Sequence, residues 1–147
     1  MNNIKQKIVF MLIFFTLIFL TTGSMKNDAH KKELKKNQVT KRVGMVIGIH
    51  EDKIEEYKQL HADDNPGVRD LLNKYNIHNF SIFLTEIEGK WYEFAYYEYT
   101  GENYKADMAK LAREPRNIEW LKVCDPMQIP LPGEEGWRNM EQIYFNE

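Results

Sequence analysis

The sequence predicts an α+β domain in which helices cover one face of an antiparallel sheet. Three observations predict it: apolar residues alternate at 43–49, two strand-like runs at 77–86 and 90–99 flank a short turn, and helical spacing fills the segments around them. Residues 43–147 are close to the common size of a single domain.

The first strand and the first helix follow directly from their patterns. Residues 43–49 place alternate apolar side chains on one side of a strand. Asp52 is predicted to start the first helix, because Glu55 follows at the spacing of a capping box. We expect this helix to run to about Ala62.

A second helix and a hairpin come next. Asn65 and Pro66 are predicted to be the N-cap and the first residue of that helix. The two strands of the hairpin are joined by Glu88 and Gly89. Both faces of the second strand are apolar or aromatic, so one face should meet the helices and the other the sheet of an identical subunit.

The last third of the domain is predicted to supply two more helices and the final strand. It contains predicted helices at 102–113 and 117–124, a proline-interrupted loop, and a final strand at 140–145. The resulting order β-α-β-β-α-β is the ferredoxin-like arrangement, an antiparallel sheet with helices on one face, of the type found in dimeric α/β barrels.

The first 24 residues are predicted to be a signal peptide. Lys5 and Lys7 precede an apolar run at 8–20, and the small residues at 21–24 suit a cleavage site. That run is shorter than the ~20 residues of a spanning helix. We therefore expect an exported protein, periplasmic or extracellular. An uncleaved membrane anchor is the alternative, and membrane contact is expected only in that case.

Charge separates the next segment from the domain. Residues 25–42 are basic and poor in large apolar side chains, which predicts a disordered tether. Residues 43–147 instead carry 11 basic and 20 acidic residues, a net charge of −9. So acidic a domain repels phosphate groups, and no nucleic-acid partner is expected.

The common catalytic signatures are missing from the sequence. It has no glycine-rich phosphate loop and no Gly-x-Ser-x-Gly, and its four histidines lack zinc spacing. No metal site is therefore expected. The single cysteine, Cys124, excludes an intramolecular disulfide and suits a small buried residue better than a nucleophile.

Tyr57 and His61 are the strongest candidates for a site. Four residues apart on a helix, they share one face with Ile54 and Leu60 and direct a phenol and an imidazole inward. Such groups need hydrogen-bond partners or a ligand. Either one alone is more often a core-edge side chain with one satisfied hydrogen bond. Trp120, on the later short helix, offers an aromatic face for a sugar, although one tryptophan at helical spacing is more often core.

Over nearly all of residues 42–145, the sequence resembles the L-rhamnose mutarotases. The resemblance rests on blocks of sequence in the family's order, at 56–61, 78–84, 119–122, 125–128 and 140–145. It implies a dimeric ferredoxin-like domain that interconverts the α and β anomers of L-rhamnopyranose, a monosaccharide, without a cofactor. It also implies that His61 is the catalytic histidine, Tyr57 a sugar-contacting tyrosine, and Trp120 the first member of a tryptophan pair.

Three positions depart from the family pattern. Phe80 stands where a second substrate-contacting tyrosine is usual, so the ring is kept without its hydroxyl. Leu121 replaces the second tryptophan of the pair, and Asn65 replaces a tryptophan that commonly precedes the proline. Lost hydrogen-bonding groups and lost aromatic area are expected to change the sugar preference or lower the affinity.

The residues suggest a mechanism, and two other functions remain open. We expect His61 to act as proton donor and acceptor while the sugar ring opens to the aldehyde and closes again. One alternative is a non-catalytic domain that binds a sugar or a protein partner. The other, a small dimeric monooxygenase, rests on the fold alone.

Overall fold

The computed structural model describes residues 38–146, so the predicted signal peptide and residues 25–37 of the predicted tether lie outside the described residues. The strands are β1 Lys41–Ile49, β2 Ile77–Ile87, β3 Lys90–Tyr99, β4 Gln128–Ile129 and β5 Arg138–Met140. The helices are α1 Ile54–Leu60, α2 Arg69–Lys74, α3 Tyr104–Leu111 and α4 Pro115–Cys124, with 3₁₀ turns at Glu51–Lys53 and Asp125–Met127.

The strands form one antiparallel sheet in the order β2-β3-β1-β4, and β5 pairs with the same edge of β1 as β4. This is the ferredoxin-like order, so the predicted fold is confirmed. The β2–β3 hairpin turns at Glu88 and Gly89, with φ of 52° and 74°. Two consecutive positive φ values are the signature of a type I′ turn, and the turn lies at the two residues where the sequence predicted a hairpin turn.

The two faces of the sheet have different surroundings. Alternate residues of β1 and β3 are buried beneath the helices, among them Ile47, Ala95 and Tyr97. On the opposite face, Val46, Phe94 and Phe83 lie in one cross-strand row, and the Phe83 side chain is 63% exposed. The expectation that both faces of β3 carry aromatic side chains is met, and one face is open in the monomer.

The predicted capping box of the first helix is wrong. The chain enters this helix through the 3₁₀ turn, in which the Lys53 amide donates to the His50 carbonyl at 2.9 Å. Lys53 is the N-cap, and no side chain caps the helix. The turn therefore takes the place of a cap by Asp52, and the helix ends at Leu60, earlier than predicted.

The second helix also starts later than predicted, at Arg69. The Asn65 side chain does accept a backbone hydrogen bond, but from the Gly67 amide at 3.1 Å, which closes a local turn. Gly67 has a φ of +50°. A residue in this left-handed conformation cannot belong to an α-helix, so the helix begins after it.

The C-terminal part differs from the prediction at both of its strands. Gln128 and Ile129, predicted to lie in a loop, pair with β1 at Ile49 and Gly48. The final strand is β5, and residues 141–146 form no strand. Instead of extending the ladder, Phe145 packs against a cation: the Arg42 guanidinium carbon lies 3.5 Å from its ring centre.

Candidate functional site

A cavity of about 550 Å³ opens between helices α1, α2 and α4 and the first residues of β2. This volume falls in the range of small-molecule sites. Its walls combine aromatic rings with amide, imidazole and charged groups: Tyr57, Leu60, His61, Asn65, Pro66, Gly67, Val68, Arg69, Leu72, Asn73, Ile77, His78, Asn79, Phe80, Ile82, Asn117, Trp120, Leu121, Cys124, Asp125, Gln128 and Trp137.

His61 lies at the C-terminal end of α1 and lines the cavity. Its backbone amide donates to the Tyr57 carbonyl at 3.2 Å, which keeps the helical spacing of the two residues. Its ring atom Nδ1 lies 2.9 Å from the same carbonyl oxygen. Because a carbonyl can only accept, Nδ1 carries the ring proton of the neutral imidazole. The second ring nitrogen, Nε2, is then left as a proton acceptor.

The surroundings of His61 favour its neutral form. Burial lowers its pKa from the usual 6.5, and the Arg69 guanidinium lowers it further, while the hydrogen bond to Tyr57 opposes the shift. The same Arg69 donates to the carbonyls of His61 and Ala62 at 2.8 and 3.1 Å, and so holds the chain just after the helix. At neutral pH the imidazole is therefore an uncharged base.

Two aromatic rings enclose the imidazole. The Tyr57 ring stacks on it, with ring centres 4.2 Å apart and an angle of 28° between the planes. Trp120 meets it edge-on, with centres 5.2 Å apart. Gly67 permits this position of Trp120, because a Cβ atom at residue 67 would lie 3.1 Å from the indole. Contacts from α1, α4 and the loop before α2 thus fix the plane of the imidazole.

The Tyr57 hydroxyl belongs to a buried polar cluster. It accepts a hydrogen bond from Gln128 Nε2 at 3.1 Å, and the same nitrogen donates to Glu93 Oε2 at 2.7 Å. Burial, together with the charge of Glu93, raises the pKa of the phenol. Burial also raises the pKa of Glu93 to about 7, although the hydrogen bonds with Gln128 and Tyr57 oppose the shift.

The structure brings the sequence-predicted positions together around one cavity. Besides His61, Tyr57 and Trp120, the cavity wall includes Phe80 and Leu121. Asn65, the third departure from the family pattern, lines it as well. Phe80 stacks on Tyr97 with ring centres 5.6 Å apart and leaves 37% of its surface exposed.

Other residues of the site were missed by the sequence analysis. Glu93 and Gln128 were not singled out, although Glu93 interrupts the apolar alternation of β3, a signal that could have found it. Trp137 and Asn117 line the cavity from segments whose sequence gave no indication of it. Their placement depends on tertiary packing.

Neither a metal-binding cluster nor an exposed thiol is seen among the residues that the structure describes. Within residues 38–146, no group of three or more histidine, cysteine or acidic side chains is arranged to hold a metal ion. Cys124 is buried, and burial raises the pKa of its thiol to about 12. A thiol with so high a pKa is a packing group at neutral pH.

Comparisons with known proteins give a consistent result. The sequence model of the L-rhamnose mutarotase family matches residues 42–145. The L-rhamnose mutarotase of Bacillus subtilis (strain 168) is 41% identical over 87 residues, which are 59% of this chain and 79% of the relative. That of Lactiplantibacillus plantarum is 35% identical over 86 residues, 58% and 78% of the two chains.

A solved structure is similar as well. The crystal structure of an L-rhamnose mutarotase from Formosa agariphila superposes with a TM-score of 0.56. It covers 74% of this chain and 100% of that chain, at 18% sequence identity. At this identity the likeness supports the fold.

The relatives contradict the prediction that residues 1–24 are a signal peptide and that the protein is exported. The homologous L-rhamnose mutarotases are cytoplasmic metabolic enzymes, and nothing in the comparisons shows a signal peptide. Both predictions are therefore wrong: they rested on hydropathy and small residues, which are not specific to a cleavage site. Within residues 38–146, no helix is long and apolar enough to cross a membrane.

Proposed function

Because the chain belongs to the L-rhamnose mutarotase family, whose enzymes are carbohydrate isomerases, we propose that it interconverts the α and β anomers of L-rhamnose or a closely related aldopyranose. His61 is the proton donor and acceptor in this proposal. The observation that carries it is the 2.9 Å contact of His61 Nδ1 with the Tyr57 carbonyl. This contact leaves Nε2 as the basic atom of the imidazole.

The proposed reaction moves one proton between two sugar oxygens. Nε2 of His61 removes the proton from the anomeric hydroxyl, and the ring oxygen receives a proton from the imidazolium as its bond to C1 breaks. The open aldehyde rotates about its C1–C2 bond, and the same steps in reverse close the ring as the other anomer. The reaction needs no oxidant and no reductant, and we propose that it proceeds without a cofactor.

The aromatic residues and the amides supply the binding surface in this proposal. Trp120 and Phe80 offer ring faces to the C–H groups of the sugar, and the Tyr57 ring supports the imidazole from behind. The amide side chains at the cavity wall can hydrogen-bond the sugar hydroxyls. Since Phe80 lacks a phenolic hydroxyl, we expect a weaker hold on one sugar hydroxyl than a tyrosine would give.

We also propose that the protein forms a homodimer through the open face of its sheet. Phe83 is 63% exposed there, beside Phe94 and Val46 in the same cross-strand row. An exposed apolar row on the face of a sheet is a typical site for association. A second copy of the same face supplies a surface of the same chemistry, as in isologous dimers.

The experiment that tests the function uses a panel of aldoses. The protein is incubated with L-rhamnose, with other 6-deoxy sugars and with ordinary aldoses, and exchange between the anomeric signals is followed by saturation-transfer NMR. We expect enhanced exchange for L-rhamnose or a close relative. Binding of a sugar without enhanced exchange for any member of the panel would favour the non-catalytic alternative.

A further inference from the structure

Glu93 occupies a core position that calls for an apolar residue. It lies on the helix-covered face of β3, in register with Ile47 on one side and Leu84 on the other. Its side chain is 1% exposed. A carboxyl group in such a place is unfavourable unless polar partners satisfy it.

The partners that Glu93 has are residues of the candidate site. Gln128 donates to its carboxyl oxygen at 2.7 Å and to the Tyr57 hydroxyl at 3.1 Å. Tyr57 itself helps to stabilise the carboxylate. The charge of Glu93 also contributes to the raised pKa of one further group, the Cys124 thiol on α4. Among the described residues, no lysine, arginine or histidine forms an ion pair with Glu93.

The directions of these hydrogen bonds fix the Tyr57 hydroxyl. Gln128 Nε2 carries two N–H groups, and it donates one hydrogen bond to the phenol oxygen and one to the carboxylate. Because the phenol oxygen accepts from the amide, its own O–H can donate to the carboxylate. The ring that carries this hydroxyl is the one that stacks on His61.

We propose that Glu93 is a positioning residue for the reaction at His61, acting through Gln128 and the Tyr57 ring to fix the plane of the imidazole. Only the predicted effects on kcat rest on the proposed function. The positioning of the imidazole does not depend on it. The chain of contacts runs from β3 through β4 and α1 to the cavity wall. The carboxylate is the form that accepts both hydrogen bonds, so the imidazole is best held when Glu93 is ionised.

Protonation of Glu93 therefore loosens the cluster. A protonated carboxyl must donate, and its neighbours then have to rearrange to accept. Burial brings the pKa of this carboxyl to about 7. Exchange activity of the wild-type protein should accordingly rise as the pH passes through the neutral range, in addition to any change caused by His61.

Two variants separate the charge of Glu93 from its hydrogen bonding. Glu93→Gln keeps an acceptor oxygen for Gln128 but cannot ionise, so we expect its kcat to lie several-fold below the wild-type value above neutral pH and to lack the rise through the neutral range. Glu93→Leu removes the acceptor and should lower kcat roughly ten- to a hundredfold, the scale of a misplaced catalytic group, with little change in KM. Ile47→Val, at the register partner, controls for a small disturbance of the core.

A readout that needs no sugar keeps this test separate from the proposed function. The Cε1–H signal of His61 is titrated by NMR in the wild-type protein and both variants. We expect a step near pH 7 in the wild type, caused by movement of the stacked phenol, and its loss in both Glu93 variants. Identical His61 titrations in all three proteins, or wild-type kcat in Glu93→Leu, would overturn the inference. A wild-type protein that does not accelerate anomer exchange for any sugar would overturn the proposed function. It would leave the inference about Glu93 and the His61 ring untouched.

Discussion

At the scale of single residues, one backbone carbonyl fixes the tautomer of one imidazole. The Tyr57 carbonyl accepts from both the amide and Nδ1 of His61. Helical spacing alone predicted that Tyr57 and His61 would be neighbours, and they are. The tautomer could not be predicted, because it depends on where the helix ends and how the ring turns back onto it.

The pH dependence of exchange follows from the lowered pKa of His61. Protonation removes the base, so activity is full above the pKa and falls as the pH drops through it. Since burial and Arg69 place that pKa below 6.5, the loss should be centred below pH 6.5. The profile of kcat/KM is measured in Glu93→Gln, where the carboxyl of residue 93 no longer titrates. A midpoint at or above 6.5 would contradict the lowered pKa.

At the scale of elements, the sequence predicted the strands better than the helix ends. The β2–β3 hairpin was identified because Gly89, which adopts a positive φ without strain, lies in a short turn between two runs of strand-forming residues. The start of α2 was misplaced because Asn65-Pro66 fits both a helix cap and the local turn that precedes Gly67. Only tertiary packing decides between them: Trp120 lies directly over Gly67. Gln128 was missed as a strand residue because two-residue strands carry no periodic signal.

Gly67 should matter for sugar binding as well as for stability. Gly67→Ala places a Cβ atom 3.1 Å from the Trp120 ring at a backbone φ of +50°. The left-handed backbone costs about 1 kcal/mol for alanine, and the contact must displace the indole beside His61. We expect a lower Tm and a several-fold higher KM for the sugar, measured by thermal unfolding and NMR exchange.

Gly89→Ala is the matched control for this prediction. Gly89 has a φ of +74°, but a Cβ atom there meets nothing within 4 Å. The Gly89→Ala substitution should lower the free energy of unfolding by a similar amount and leave KM for the sugar unchanged. Equal effects of the two substitutions on KM would show that Gly67 acts through the backbone alone.

At the scale of the whole molecule, the fold brings distant segments to one cavity. The βαββαβ order could be read from the sequence, since each unit has its own period and turn chemistry. The full wall could not, because Trp137 and Asn117 reach the cavity through packing between elements. The sequence did predict the two site residues that lie on one helix, Tyr57 and His61. It also predicted single aromatic residues on other elements, Trp120 and Phe80.

The open face of the sheet provides a test of the proposed homodimer. Phe83→Asp puts a charge on the most exposed side chain of the cross-strand row, and a charge buried at a dimer interface without a partner is strongly unfavourable. We expect a dimer for the wild type and a monomer for Phe83→Asp in sedimentation-velocity experiments. Ile118→Asp, at a side chain 40% exposed on α4, should remain dimeric. A monomeric wild type, or a dimeric Phe83→Asp, would argue against association through this face.

The central claim, that His61 carries the proton between two oxygens of the sugar, is tested most directly by saturation-transfer NMR of L-rhamnose. The wild type, His61→Ala and His50→Ala are compared at equal concentration, with binding of the sugar followed in parallel. The account predicts that His61→Ala loses about 10² to 10⁴ in exchange rate and still folds and binds, while His50→Ala, at an exposed residue, keeps the wild-type rate. Wild-type exchange in a folded His61→Ala protein would contradict it.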